Sequence, residues 1–441
     1  NLVTTGTHFN QAFTSCPICV PARVSLFTGQ YPSTHGSVDN FIPMAQGKNH
    51  LLKIFKDKNY KIGLAGKNHC FQKSELSLFD FKETAMHFDI FTEDKKYLQT
   101  NAHLRNTPEH RAAWGHAVNT LPIELGITSW TTNQAIEFVN QNQTNPFFLW
   151  YSIVDPHPPY QVSEPYASHV SLEDICLPPW QENEMNTKPQ CQLIDYHALS
   201  GHQVDKDIVK KVRQIYYGQC KYIDDEIGRF LIHLEQKNLI DNTLIVFVSD
   251  HGEYLGEHRM IRKSKAAYDC LTQIPLIFKG PGIIPQENTQ FISIEDVMPT
   301  IVDYLGWDIP DLVQGQSFKE ALIGNNGFYS RDYIFGEYGA HSYPLEFNED
   351  FIGTGPLAPD FKPGKKKGGY GKMRYLRTKQ WKLVTYINDK YELYNLENDP
   401  FELTNLYGLD GYEKITTELK DQLIETMMLY DIAGSFDHGV N

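Results

Sequence analysis

Short apolar runs that each end in chemically useful polar residues constrain this chain more than any other feature. Residues 60–65 lead into Gly66-Lys67-Asn68-His69, and residues 146–154 lead into Asp155-Pro156-His157. Residues 244–248 lead into Ser249-Asp250-His251-Gly252-Glu253, and residues 274–279 end in Gly280-Pro281-Gly282. Continuous apolar runs of this length suit strands buried on both faces of a parallel sheet. Helical patterns at 51–58, 128–141, 206–237 and 294–305 separate them. The alternation through about residue 325 predicts an α/β fold: a large, mostly parallel sheet sandwiched by helices. Ligands bind at the carboxyl ends of strands in such sheets. Lys67, His69, His157, Asp250 and His251 are therefore expected to meet along one edge, although each alone reads equally well as a turn or cap residue.

The texture changes after that point. Runs at 373–377, 381–386 and 390–395 alternate as short strands with tight turns, and 412–429 is an amphipathic helix. This predicts two domains, an α/β unit over 1–325 and a smaller C-terminal antiparallel sheet with a helix over 326–441. A net charge of −14 argues against a nucleic-acid partner, which calls for a basic face. No apolar run approaches the roughly 20 residues of a membrane span. Seven cysteines do not make a disulfide framework in a chain of 441 residues.

Cys19 lies in the run Cys16-Pro17-Ile18-Cys19-Val20-Pro21-Ala22-Arg23, followed by Thr28-Gly29. Pro21 is a good first helical residue. Cys19 is then expected just ahead of a helix N-terminus, where free N–H groups favour an anion. Arg23, four residues on, would point back toward it. A redox pair with Cys16, half of a zinc site and a buried core cysteine are the competing readings. The polar strand ends tip the balance toward chemistry. Asp250 and a neutral His251 are plausible ligands of a divalent cation. Lys67 and a lysine from 263–265 would hold a tetrahedral oxyanion, with His157 and His69 as acid and base.

Taken together, these residues resemble the type I, formylglycine-dependent sulfatases of the alkaline phosphatase superfamily, over nearly the whole chain. The resemblance rests on the Cys19–Arg23 run with Thr28-Gly29, Gly66-Lys67-Asn68-His69, Asp155-Pro156-His157 and Ser249-Asp250-His251-Gly252-Glu253 with Leu255-Gly256-Glu257-His258. It extends to Tyr394-Asn395-Leu396-Glu397-Asn398-Asp399-Pro400-Phe401-Glu402. It implies that a formylglycine-generating or anaerobic sulfatase-maturating enzyme converts Cys19 to formylglycine, whose hydrate attacks sulfur in line. His157 would protonate the leaving oxygen, and His69 would take the proton that lets sulfate depart. Arg23, Lys67 and Lys263 would stabilise the nucleophile and the sulfate. Asp250, His251 and residue 19 would bind a divalent metal, expected to be Ca2+ with Mg2+ or Mn2+ as alternatives. A secreted or periplasmic location of a bacterial glycan sulfatase follows from the family alone.

Two departures from the family pattern stand out. Spacing from Asp250 selects Lys263, but spacing back from Pro275 falls on Ser264, which keeps Lys265 as an alternative contact. The family's first strand ends in two metal-binding aspartates, and Asn1 lies after their expected place. The mid-helix pair Asp224-Asp225 cannot replace them, so a first strand missing from the sequence is expected. Lys365-Lys366-Lys367, with Tyr370, Lys372 and Arg374, offers positive charge for a sulfated saccharide, and Glu337, Tyr338 and His341 are candidate sugar contacts. The alternatives are a phosphodiesterase or phosphonate monoesterase of the same superfamily, and a non-catalytic glycan-binding protein if the aspartates are absent.

Overall fold

Thr7–Phe13 is the strand about which the larger sheet forms. On one side it pairs antiparallel with Gln273–Lys279, which pairs antiparallel with Ile245–Val248; on the other it runs parallel to Gln286–Asn288 and Ile292–Ser293. The computed structural model describes residues 1–86, 89, 91–105, 114–199, 201–325, 331–339 and 372–434. A second sheet holds three parallel strands in the order Phe81–Thr84, Lys61–Gly66, Phe147–Ser152. Helix Cys19–Thr28 packs Val20, Val24 and Phe27 into a core shared with Leu64, Leu276, Phe278 and Met298. Phe138 and Val139 of helix Ile127–Gln141 and Leu234 of the long helix Lys206–Gln236 cover Phe147, Leu149 and Ile245.

The α/β architecture with helices on its faces follows the sequence pattern, with two differences. Gln273–Lys279 opposes both of its neighbours. Residues 249–272 carry only single turns of helix, and without a long crossover the chain cannot return to start a parallel strand. The sheet is also open between Phe147–Ser152 and Ile245–Val248. Among the described residues, the first of these strands pairs only with Lys61–Gly66 and Phe81–Thr84 lies beyond that, while the second pairs only with Gln273–Lys279. A cleft of about 1670 Å3 separates their facing edges, running from Leu2 to Cys19. The expectation that the 146–154 strand is buried on both faces is not met: Phe147, Leu149 and Trp150 are only half-buried, as are Val246 and Val248 across the cleft, since among the described residues no strand pairs with either facing edge.

The C-terminal strands Tyr333–Tyr338, Met373–Thr378, Trp381–Tyr386 and Glu392–Asn395 form an antiparallel sheet in that order. Leu419 and Leu423 of helix Glu413–Gly434 close over Phe335, Leu376, Leu383 and Leu393. This sheet braces the turn ahead of Cys19. The Tyr375 hydroxyl donates to Thr14 O at 2.8 Å, and Glu337 N donates to Ser15 O at 2.8 Å. Only glycine fits at Gly336, where a Cβ would lie 2.5 Å from Ser15 O and 2.1 Å from the Tyr375 ring. Lys382, fully buried, forms ion pairs with Asp269 and Glu402, each at 2.6 Å, and so ties this sheet to the short helix before Gln273–Lys279. No helix among the described residues is long and apolar enough to cross a membrane.

Candidate active site

Helix Cys19–Thr28 begins at Cys19 itself, two residues earlier than Pro21 suggested, with Ile18 as its extended N-cap. Pro21 still costs nothing there, since the first-turn N–H groups have no helical partner. The side chain of Asn40, from a separate loop, accepts from Val20 N at 3.0 Å. Cys19 is thus buried in the first turn, with its Sγ 3.2 Å from His251 Nε2.

Three strand ends converge on this sulfur. Gly66 adopts a φ of +103°, which a side chain would oppose, and its missing Cβ allows the close approach to Ser152 O. Lys67 N then bonds Ser152 O at 2.9 Å, and the buried Lys67 side chain turns toward the site. Arg23 gathers all three ends. It donates to Asp250 Oδ2 at 2.8 Å, to Ser152 Oγ at 3.0 Å and to Lys67 O at 3.3 Å. Sequence reading missed Asn40 and Ser152. Ser152 is the one polar residue closing an apolar strand, which is a usable signal; Asn40 carries none.

The electrostatics follow from crowding charge in a dry place. Burial pushes the Cys19 thiol up, but His251, with hydrogen bonding from His157 and His69, outweighs burial and holds it well below the usual thiol range. Burial likewise raises the Asp250 carboxyl, and His251 and Arg23 reverse this and depress it strongly. Burial and the neighbouring Arg23 lower Lys67 to about 8. His157 falls to about 4, mainly through burial, with Lys263 and Lys67 adding to the depression. His157 Nδ1 lies 2.6 Å from Pro158 O, so that nitrogen carries its proton and Nε2 is the face turned to chemistry. Buried His69 Nδ1 has no partner.

Cys19, Asp250 and His251 each offer one ligand atom, all within 4.8 Å of one another. His251 Nδ1 is engaged with Gly252 O at 2.8 Å, leaving Nε2 toward the cluster. An anionic carboxylate, an imidazole nitrogen and the side chain at 19 fit a divalent cation, although three donors fall short of the six to eight oxygens Ca2+ takes. The cleft between the two unpaired strands opens beside them.

The other expected residues divide. Lys263 acts on His157, Lys67 and His251 and so stands at the cluster. Lys265 does not: it pairs with Asp39 at 3.1 Å and lies 4.6 Å over the Tyr338 ring. Glu337, expected to touch a sugar, is buried, accepts from Ser33 N and pairs with Arg374 at 2.9 Å. Each of these two charges neutralises the other, so neither is presented to a ligand. Asp225 pairs with Lys221 and accepts from the Tyr166 hydroxyl, as a structural mid-helix acid would. His341 and Lys366 lie outside the described residues.

The α/β scaffold thus brings a buried cysteine, three histidines, a carboxylate and the cations Lys67 and Arg23 together at its strand ends, a set suited to acting on an anionic group. The sulfatase family model matches residues 1–307, and the C-terminal model of N-sulphoglucosamine sulphohydrolase matches residues 367–428. The chain belongs to the sulfatase family and is a sulfuric ester hydrolase. An arylsulfatase of Clostridium perfringens is 28% identical over 97% of this chain and 88% of its own length. The phosphonate monoester hydrolase of Agrobacterium radiobacter shares the fold with a TM-score of 0.79 at 21% identity, over 97% of this chain and 90% of that one. A structure solved with its substrate D-glucosamine-2-N,6-O-disulfate does so with a TM-score of 0.71 at 18% identity, over 100% of this chain and 93% of that one. The family implies a metal and a formylglycine in general terms.

Proposed function

We propose that this hydrolase removes sulfate from a sulfated saccharide, with residue 19 acting as formylglycine after enzymatic maturation of Cys19. The observation that carries the reading is the convergence of His157, His251 and His69 on Cys19 within a cage of Lys67, Arg23 and Lys263. Formylglycine would supply a nucleophilic oxygen, and a divalent cation held by Asp250, His251 and residue 19 would favour its ionised form. Ca2+ is the favoured ion, given the oxygen-rich set the family implies. Lys67 and Lys263 hold the sulfate oxygens and Arg23 holds Asp250 in register, charge set in place before the reaction begins.

His157 gives its Nε2 proton to the departing sugar oxygen. Without substrate it is neutral near pH 7, because burial and the two lysines depress it to about 4. A sulfate ester between those lysines offsets their field and favours the imidazolium the step needs. His69 takes the proton whose removal frees sulfate.

The cleft between Phe147–Ser152 and Ile245–Val248 is the place from which further acidic donors would reach the cation. A strand laid there would pair with both open edges and end beside Asp250 and His251. Sulfated saccharides as substrates rest on the family and on the fold neighbour solved with D-glucosamine-2-N,6-O-disulfate, and a secreted or periplasmic location rests on the family.

The test is sulfate release from a panel of sulfated mono- and oligosaccharides, alongside aryl sulfate, aryl phosphodiester and aryl phosphonate. Faster turnover of a phosphonate monoester than of any sulfate ester would favour the second reading, which the fold likeness to phosphonate hydrolases supports. No sulfate release from any substrate by protein with verified formylglycine would sink the first.

A further inference from the structure

A second cluster of ligating side chains lies outside the catalytic residues. Glu257, His258 and Cys270 each offer one ligand atom, and these atoms lie within 4.8 Å of one another. Glu257 and His258 come from a single 3-10 turn, Glu257–Arg259, and Cys270 from the short helix Asp269–Thr272 that precedes the strand Gln273–Lys279. The Cys270 thiol is hydrogen-bonded to the Glu257 carboxylate.

The histidine is held as a ligand would be. His258 is 1% exposed, and its Nδ1 lies 2.5 Å from Glu184 Oε1. Glu184 is itself paired with Lys188 at 3.3 Å, which keeps it ionised and makes it the acceptor. Nδ1 therefore carries the proton. Nε2 is left as a bare lone pair, buried and without a partner. The ring stacks on Tyr268 with centroids 3.7 Å apart, which fixes its plane. A carboxylate behind a histidine whose other nitrogen is free is the arrangement that orients imidazole toward a metal. A buried polar atom with no partner is otherwise destabilising.

The geometry points to a second metal site at Glu257, His258 and Cys270, distinct in its residues from the Cys19 cluster and suited to Zn2+. One sulfur, one imidazole nitrogen and one carboxylate oxygen form a mixed set that a borderline-soft ion takes and that Ca2+ or Mg2+ does not favour. Binding is not a redox step: the Cys270 thiol proton is released, and sulfur, Nε2 and the carboxylate oxygen each donate a pair to the ion. A surface cavity of about 450 Å3, lined by Glu257, Cys270, Asp269 and His8, gives solvent access to the remaining position.

The ion would brace the loop that carries Asp250 and His251. Glu253 N donates to Cys270 O at 3.0 Å and Gly252 N to Leu271 O at 2.8 Å, so fixing Cys270 fixes the backbone just after the catalytic pair. Asp269, next in chain to Cys270, is gripped by Arg377 and Lys382 of the C-terminal sheet.

The test uses the full chain as Cys19→Ala, so that the other cluster has no thiol, stripped of metal and titrated with Co2+. A thiolate-to-cobalt charge-transfer band saturating at one ion per chain is expected, with Zn2+ but not excess Ca2+ displacing the cobalt. Adding Cys270→Ser is expected to remove the band. Glu257→Gln, at a partly exposed position, keeps the sulfur and is expected to weaken Co2+ binding by about tenfold or more. A titration without the band, a band that survives Cys270→Ser, or an unchanged affinity in Glu257→Gln overturns the assignment. If Cys270→Ser does not fold, the Glu257→Gln affinity decides.

Discussion

Arg23 Nε lies 2.8 Å from Asp250 Oδ2, and the same guanidinium reaches Ser152 Oγ and Lys67 O. One side chain from the Cys19 helix thus joins the ends of two paired strands of one sheet to the end of a strand in the other. The pair is largely buried, at 11% and 17% side-chain exposure, so removing one partner strands the other charge. Arg23→Ala is expected to lower unfolding stability by about 3–5 kcal/mol and to weaken metal binding. Urea denaturation with a parallel metal titration checks both; a loss below about 1 kcal/mol would mean the pair is not structural.

His157 is assigned to leaving-group protonation, and that role has a kinetic signature. His157→Ala is expected to lower kcat on alkyl sugar sulfates by about 10²–10⁴, and far less on an aryl sulfate whose phenolate departs unaided. Equal losses on both substrates would remove the acid role.

Lys67 gives two opposite pH trends. Its ammonium is needed for sulfate, so kcat/KM is expected to be full below pH 8 and to fall as pH rises through about 8. Stability moves the other way. The folded value lies below the ordinary 10.5, so between about 8 and 10.5 the unfolded chain binds the extra proton and stability rises with pH. Lys67→Met should abolish both trends; an unchanged alkaline limb in that variant would assign it to another group.

Cys19→Ala or Cys19→Ser should abolish turnover and leave the far-UV circular dichroism unchanged, because the helix start is held by Asn40 and Pro21 rather than by sulfur. Near-normal turnover in either variant would refute the nucleophile.

Glu337→Gln and Arg374→Ala should each destabilise the fold while leaving KM for small sulfate esters within about twofold, since they serve each other and the turn at Ser33. A large KM rise without destabilisation would return them to the substrate.

Much of this was open to reading along the chain. Strands, helices and the C-terminal sheet follow from local periodicity, which burial imposes on any sequence. Polar residues closing apolar runs mark Lys67, His157, Asp250 and His251, because a buried strand tolerates such groups only where it ends. The partner of a charge has no such local signal. Lys263 and Lys265 are two residues apart with the same chemistry, and only the fold sends one to the catalytic cluster and the other to Asp39 and Tyr338. Glu337 sits at a strand end just as Asp250 does, yet Arg374 on the adjacent strand claims it.

The α/β layering and the polar strand ends are written in the chain locally, since each depends on spacing within a few residues. The reversed Gln273–Lys279 strand and the ring of partners around Arg23 became visible only in the folded chain. Strand direction and charge pairing depend on which distant segments meet, and that is set by packing the whole chain at once.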